Sequence, residues 1–151
     1  MATTVETVLE QVYNAILQAF PGLAEITIGE DSDIMSLTDD KFPRVEISAP
    51  VIDTQGYVDQ YNVRDLLILG IVGYDKRVTM DRQDIYKQIQ FGMKMRATIF
   101  GLADKTAILH SSNIDQLDAG QRVVFDYELV NNVMGFEYIV PIQLTVPFLK
   151  E

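Results

Sequence analysis

Between Phe136 and Phe148 the even positions are Phe136, Tyr138, Val140, Ile142, Leu144, Val146 and Phe148, every one of them apolar. The odd positions are Glu137, Ile139, Pro141, Gln143, Thr145 and Pro147. A helix cannot gather that set on one side, whereas a strand alternates its side chains between two faces. The stretch therefore predicts a long strand with one face on the core. Its two prolines add a constraint. Residues two apart aim their N–H groups at the same lateral edge, so both missing donors fall on one edge. That predicts an edge strand, or one that leaves the sheet partway. A long edge with an apolar side needs cover, and a second chain is one way to supply it.

The rest of the chain supplies the other layer. Val5, Leu9, Val12, Ile16 and Phe20, with Val8 and Ala19 beside them, make the apolar stripe of a first helix over residues 4–20, ended by Phe20-Pro21-Gly22. Thr3 and Glu6 have capping-box spacing. Ala24, Ile26 and Ile28 alternate with Glu25 and Thr27 as a short strand. Pro43 opens another strand, in which Val45, Ile47 and Ala49 oppose Arg44, Glu46 and Ser48. Residues 50–62 read as a long excursion carrying Gly56, Tyr57 and Tyr61. The continuous apolar run over residues 66–73 fits a strand buried on both faces. It contains no phosphate loop, and close packing of a helix over Gly70 is expected instead.

A second helix is predicted from Asp81, with Asp84 in its first turn, to Phe100, stopping at Gly101. Its core face is read as Ile85, Ile89, Gly92, Met93, Ile99 and Phe100. Arg96 falls on that face and is expected to snorkel, or to pair with Glu46 or Asp126. Phe91 falls on the opposite face between Lys87 and Lys94, a pattern of contact surfaces. Beyond it come a short strand at 106–109, turns at 110–113 and 117–120, and a strand over 121–131 with Val123, Phe125, Tyr127 and Leu129 on one face. A turn at 131–135 then leads into the final strand. The order is α-β-β-β-α-β-β-β in one domain spanning residues 1–151.

Charge and composition narrow the function. The chain has no cysteine and a single histidine, His110, so thiolate chemistry and two-histidine metal sites are excluded. His110 beside Ser111 in a turn does not make a nucleophile and base. Asp126 and Glu128 share one strand face, where two carboxylates are ordinarily solvated or meet a basic partner. Glu30, Asp31, Asp33, Asp39 and Asp40 crowd an irregular segment that lacks the glycine and distal glutamate of a calcium loop, so a solvated or partner-facing loop is expected. No signal peptide or membrane-length apolar run is present, and a soluble protein made in a cytoplasm is expected. The net charge of −10 disfavours direct nucleic-acid recognition. It is unevenly spread. Residues 76–105 hold seven basic and three acidic residues, a local +4. Two unlike faces suit head-to-tail association.

Taken together, the amphipathic first helix, the proline-led strand over 43–49, the excursion, the central strand over 66–74, the helix with Asp84-Ile85-Tyr86-Lys87-Gln88-Ile89, and the hairpin ending Ile142-Gln143-Leu144-Thr145-Val146-Pro147 resemble the tail terminator proteins of long-tailed bacteriophages, also called tail completion or head–tail joining proteins. The similarity is one of layout over nearly the whole chain, with no short diagnostic motif. It implies an α+β fold, a mostly antiparallel β-sheet with helices packed on one face. It also implies a virion protein at the head-proximal end of the tail: a ring, usually six copies, with many members monomeric until they meet the tube. Such a ring caps the tail-tube protein, stops its polymerisation and offers a surface to the head connector protein, while DNA passes through. No cofactor, metal, catalytic residue or membrane is implied. The expected contact residues, to other copies or to tail proteins, are Arg82, Lys87, Phe91 and Lys94 on the second helix, Asp31, Asp33, Asp39 and Asp40 in the acidic loop, Tyr57 and Tyr61 in the excursion, and Pro141 and Pro147 on the last strand. The rival readings are a small cytosolic enzyme or ligand-binding domain on a similar layout, or a related connector or tail-tube protein.

Overall fold

The computed structural model describes residues 4–30, 33–76, 81–103, 122–128 and 132–147. The elements are α1 (Thr4–Ala19), β1 (Glu25–Ile28), β2 (Arg44–Ile47), β3 (Val51–Tyr57), β4 (Asn62–Lys76), α2 (Arg82–Ala103), β5 (Arg122–Glu128) and β6 (Val133–Pro147), with two short 3-10 turns at Ile34–Ser36 and Asp39–Lys41. The fold is α+β, and the sheet is mostly antiparallel. Its strands lie in the order β1-β2-β4-β6-β5, with β3 also on β4. Among the described residues only the β1–β2 pair is parallel. The expected strand at 106–109 and the turns at 110–113 and 117–120, His110 included, lie outside the described residues.

The spine is the β4–β6 ladder, fifteen residues on each strand, running from Asn62 opposite Pro147 to Lys76 opposite Val133. The alternation read from the sequence is the one that folds: Phe136, Tyr138, Val140, Ile142, Leu144 and Val146 are all buried. The edge-strand expectation holds for only half of β6. Over Val133–Ile139 the strand is interior, with β4 on one side and β5 on the other. Beyond Ile139 it has no second partner among the described residues, and both prolines lie there. A missing donor on that side costs no ladder bond.

β2 and β3 run along the same edge of β4 as one interrupted strand. Val45 faces Gly73 and Val51 faces Ile68, which leaves one extra residue in the break between them. Ser48 bridges that break. Its N–H donates to the Gly70 carbonyl at 2.8 Å, and its Oγ accepts from the Gly70 N–H at 3.0 Å, so a side chain completes the ladder where the backbone cannot. This places Gly70 against Ser48 and not under a helix.

The two helices pack on the core face. On α1, Val8, Val12 and Ile16 are fully buried, with Val5, Leu9 and Phe20 packed beside them, as the stripe requires. On α2 the phase differs from the expected one. Gln88, Gly92, Met95, Ile99 and Leu102 are the buried positions, Met93 is exposed, and Arg96 is exposed although its charge reaches Tyr138. Phe91 turns inward. Its ring meets Phe136 edge-on at 4.9 Å and Phe20 at 5.4 Å, a geometry aromatic pairs favour. The apolar residues of α2 are spread around the helix, so periodicity alone admits two phases. The aromatic cluster and the glycine at position 92 select this one: a Cβ on Gly92 would sit 2.8 Å from the Phe125 ring, so only glycine lets the helix come this close. At the same crossing Gln88, fully buried, donates from Nε2 to the Gly73 carbonyl at 3.4 Å. Under the helices, burial pushes the Tyr138 hydroxyl well above the ordinary tyrosine range, a shift that the charge of Arg96 partly offsets.

On the opposite face, Arg44 and Glu46 are buried where alternation alone implies exposure. Arg44 bonds Glu25 at 2.8 Å across the β1–β2 pair and reaches Glu46 at 3.3 Å. Glu46 is thus taken by Arg44 and not by Arg96, and the side chain of Asp126 lies outside the described set.

Candidate functional site: an exposed arm and a basic helix face

β3 and its hairpin tip form an exposed arm along the far half of β4, where Ile52, Leu67 and Ile142 stand side by side and the last two are buried in the core. Every residue of β3 is exposed. The excursion over residues 50–62 is therefore a β-hairpin. Tyr57 and Tyr61 project from it, 72% and 62% exposed, beside Val51, Ile52 and Val58. The two tyrosines were legible as candidates. The other three were missed, because a β-branched run flanked by Asp, Gln and Gly reads as a loop until its pairing with β4 is seen.

Asp59 builds the tip. Its Oδ1 accepts from the Tyr61 N–H at 2.7 Å, from the Asn62 N–H at 2.9 Å and from Asn62 Nδ2 at 3.1 Å. These bonds to the charged form, the Tyr61 N–H first, lower the Asp59 pKa below its ordinary value of 3.8. Because the folded pKa is depressed, the tip's stabilisation is present above that ordinary value and is lost as pH falls through the folded one. A carboxyl-detected NMR titration is expected to place the Asp59 midpoint below 3.8. A midpoint at or above that value would show that the turn is not held this way.

The remaining expected contact residues fall in separate places. Arg82, Lys87 and Lys94 are exposed on α2, with Lys94 Nζ 4.8 Å from the centre of the Phe20 ring, a cation–π contact. Phe91 lies on the core side and not on this surface. In the acidic loop Asp31 lies outside the described residues, Asp33 is exposed, and Asp39 pairs with Lys76 at 2.7 Å. Thr38 donates its hydroxyl to Asp40 and holds that carboxyl below its usual range. Pro141 is buried opposite Ile68, and Pro147 is half-buried opposite Asn62.

The cavities differ in chemistry, and one of about 270 Å³ is lined by Phe20, Pro43, Asp75, Phe91 and Lys94. A groove of about 500 Å³ between the helices is lined by Gln11, Asn14, Gln18, Thr98 and small apolar residues, none of them ionisable. Among the described residues no three His, Cys, Asp or Glu side chains group closely enough to hold a metal ion, and no helix is long and apolar enough to cross a membrane. Two exposed surfaces also stand out, the apolar arm with Tyr57 and Tyr61 and the basic face of α2.

No protein-family model and no curated protein matches the chain. Among solved structures, a chain of a structure titled "Virion of native gene transfer agent (GTA) particle" is similar at 12% identity over 91% of each chain, with a TM-score of 0.46.

Proposed function

We propose that this protein is a structural virion component that caps the tail tube of a long-tailed bacteriophage, ending tail polymerisation and presenting a surface for head attachment. The arm is the observation that supports this most. Seven consecutive exposed residues on a strand, with large apolar side chains at its base and tip, form a surface whose exposure is costly unless another protein covers it. The protein acts as a ring, usually of six copies, at the head-proximal end of the tail. It works by contact and not by catalysis, with the tail-tube protein on one side and the head connector on the other. The exposed charges Arg82, Lys87 and Lys94, and the acidic loop with Asp31, Asp33, Asp39 and Asp40, serve as contact surfaces. Phe91 serves from beneath, by seating α2 on the sheet. Pro141 and Pro147 keep the far half of β6 from adding a foreign strand.

Deleting the gene from the phage that encodes the chain tests this. Electron micrographs are expected to show overgrown tails, or tails unjoined to full heads. Normal-length tails joined to full heads would remove the proposal.

A further inference from the structure

The cavity of about 270 Å³ lies where five pieces of chain meet: the end of α1, the turn after it, the start of β2, the end of β4 and the middle of α2. Phe20, Pro21, Leu23, Pro43 and Phe91 give it apolar walls, and Ala19 and Gly22 leave room by having little or no side chain. Phe20 and Phe91 are half-buried, so each ring packs on the core and keeps part of its surface open. Their centres are 5.4 Å apart, and Phe91 stands edge-on to Phe136 at 4.9 Å. The wall is thus the outer end of an aromatic stack anchored in the sheet. The rim is pinned by backbone bonds. The Phe20 N–H donates to the Ile16 carbonyl at 3.0 Å, the Leu23 N–H to the Phe20 carbonyl at 3.3 Å, and the Ala24 N–H to the Pro43 carbonyl at 2.8 Å. A pocket formed in advance spares its occupant the entropy of ordering it.

Two charged groups line this pocket, and they differ. Lys94 Nζ stands 4.8 Å from the centre of the Phe20 ring and is in no ion pair among the described residues. An ammonium held on a ring beside an apolar pocket is complementary to an anion. Asp75 is already engaged, its Oδ1 accepting from the Lys76 N–H at 2.8 Å. Its charge disfavours a second carboxylate in the pocket, so the complement is an apolar group carrying one acid. Size narrows the choice. Small-molecule sites ordinarily span about 300–1,000 Å³. A pocket of about 270 Å³ falls below that range and suits one large side chain, as the anchor pockets of protein interfaces do. Aromatic walls favour an aromatic anchor, because ring pairs gain more than their buried area alone provides.

We infer that this pocket receives an aromatic side chain of another virion polypeptide, and that Lys94 holds a carboxylate within two residues of that ring. The site gives Lys94 a defined task within the contact role proposed above, and rests on that reading for the partner being a virion protein.

Gly22 supplies the test. A Cβ there meets nothing within 4 Å and its backbone is not left-handed, so Gly22→Leu fills the pocket without displacing the fold. The probes are the capped peptides acetyl-Ala-Phe-Ala-Glu-Ala-amide and acetyl-Ala-Glu-Ala-Phe-Ala-amide. They put ring and carboxylate on one side of an extended chain, in either direction. At least one is expected to shift the NMR resonances of residues 19–23 and 91–94 saturably, with a Kd of about 1 mM. Exchanging Phe for Ala in the peptide should weaken binding at least about ten-fold. Exchanging Glu for Lys should weaken it about three- to five-fold, the scale of an exposed ion pair. Lys94→Glu should invert that charge preference, and Gly22→Leu should abolish binding, both with melting curves close to the wild-type one. Four results overturn the site: no saturable shift up to about 10 mM peptide, equal binding of the Glu and Lys peptides, a preference that Lys94→Glu leaves unchanged, or full binding by Gly22→Leu. Wild-type self-association that Gly22→Leu removes would assign the pocket to a second copy and overturn the unlike partner. The tail function fails separately. Peptide binding by a protein whose absence leaves tails normal loses the tail function only, and overgrown tails without peptide binding lose this site only.

Discussion

Ile142→Asp should abolish cooperative folding at neutral pH. Ile142 is fully buried at the middle of the β4–β6 ladder, opposite Leu67, under the helices. Replacing it deletes a packed side chain, a loss of about 2–5 kcal/mol for large-to-small changes in cores. It also places a carboxylate among Leu67, Val140 and Leu144 in the hydrophobic core. Together these effects are comparable to the roughly 5–15 kcal/mol that holds a typical domain. The circular dichroism melt should lose its transition. Ile142→Val, which keeps the shape and removes one methylene, should lower stability by about 0.5–1.5 kcal/mol and remain two-state. A soluble Ile142→Asp protein that melts cooperatively near the wild-type temperature would mean that the even face of β6 is not the core face.

That face was readable because period-two alternation has one solution. A slip of one residue would turn every apolar side chain of β6 to the wrong side. The stripe on α1 was readable for the same reason, since its apolar positions fall on a single arc. α2 was not. Ile85, Tyr86, Ile89, Phe91, Met93, Met95, Ile99, Phe100 and Leu102 surround the helix. What decides its phase is a tertiary contact, Phe91 and Gly92 against the rings of Phe136 and Phe125, which no local pattern encodes. The prolines of β6 were informative about the edge but silent on how far β5 extends along it. The arm was half legible. Tyr57 and Tyr61 stood out, whereas Val51, Ile52 and Val58 became surface residues only once β3 was seen to pair with β4 and with nothing on its other side among the described residues. The Arg44–Glu25 pair was invisible for a related reason: burial on the second face of a sheet depends on what covers it, and alternation gives only the side.

Gly73→Ala should be the most damaging small substitution in the sheet. Both Gly70 and Gly73 sit in the apolar run of β4, and the sequence does not say which of them marks a close approach. The geometry does. A Cβ on Gly70 would meet the Ser48 hydroxyl at 3.0 Å, the end of a short side chain on an exposed edge, which can turn away at the cost of the one hydrogen bond it accepts from the Gly70 N–H. A Cβ on Gly73 would lie 2.2 Å from Cε1 and 2.5 Å from Cζ of Phe136. That ring has no open direction. It lies across the strand pair from Gly73 with Phe91 edge-on above it and Gly92 beside it, so displacing it forces α2 off the sheet. Overpacking a well-filled core ordinarily costs about 1–3 kcal/mol, and a clash with a ring this confined belongs at or above the upper end. Gly70→Ala should cost well under half as much. The cause can be isolated with Phe136→Leu, which removes the clashing ring atoms. Alone it should destabilise by opening space beneath α2. Combined with Gly73→Ala, the total should fall short of the sum by about 1–3 kcal/mol, because the added methyl then occupies part of the vacated volume. Urea denaturation of the four proteins gives the coupling directly. Strict additivity would mean that Gly73 is required for its backbone conformation and not for the ring packed against it.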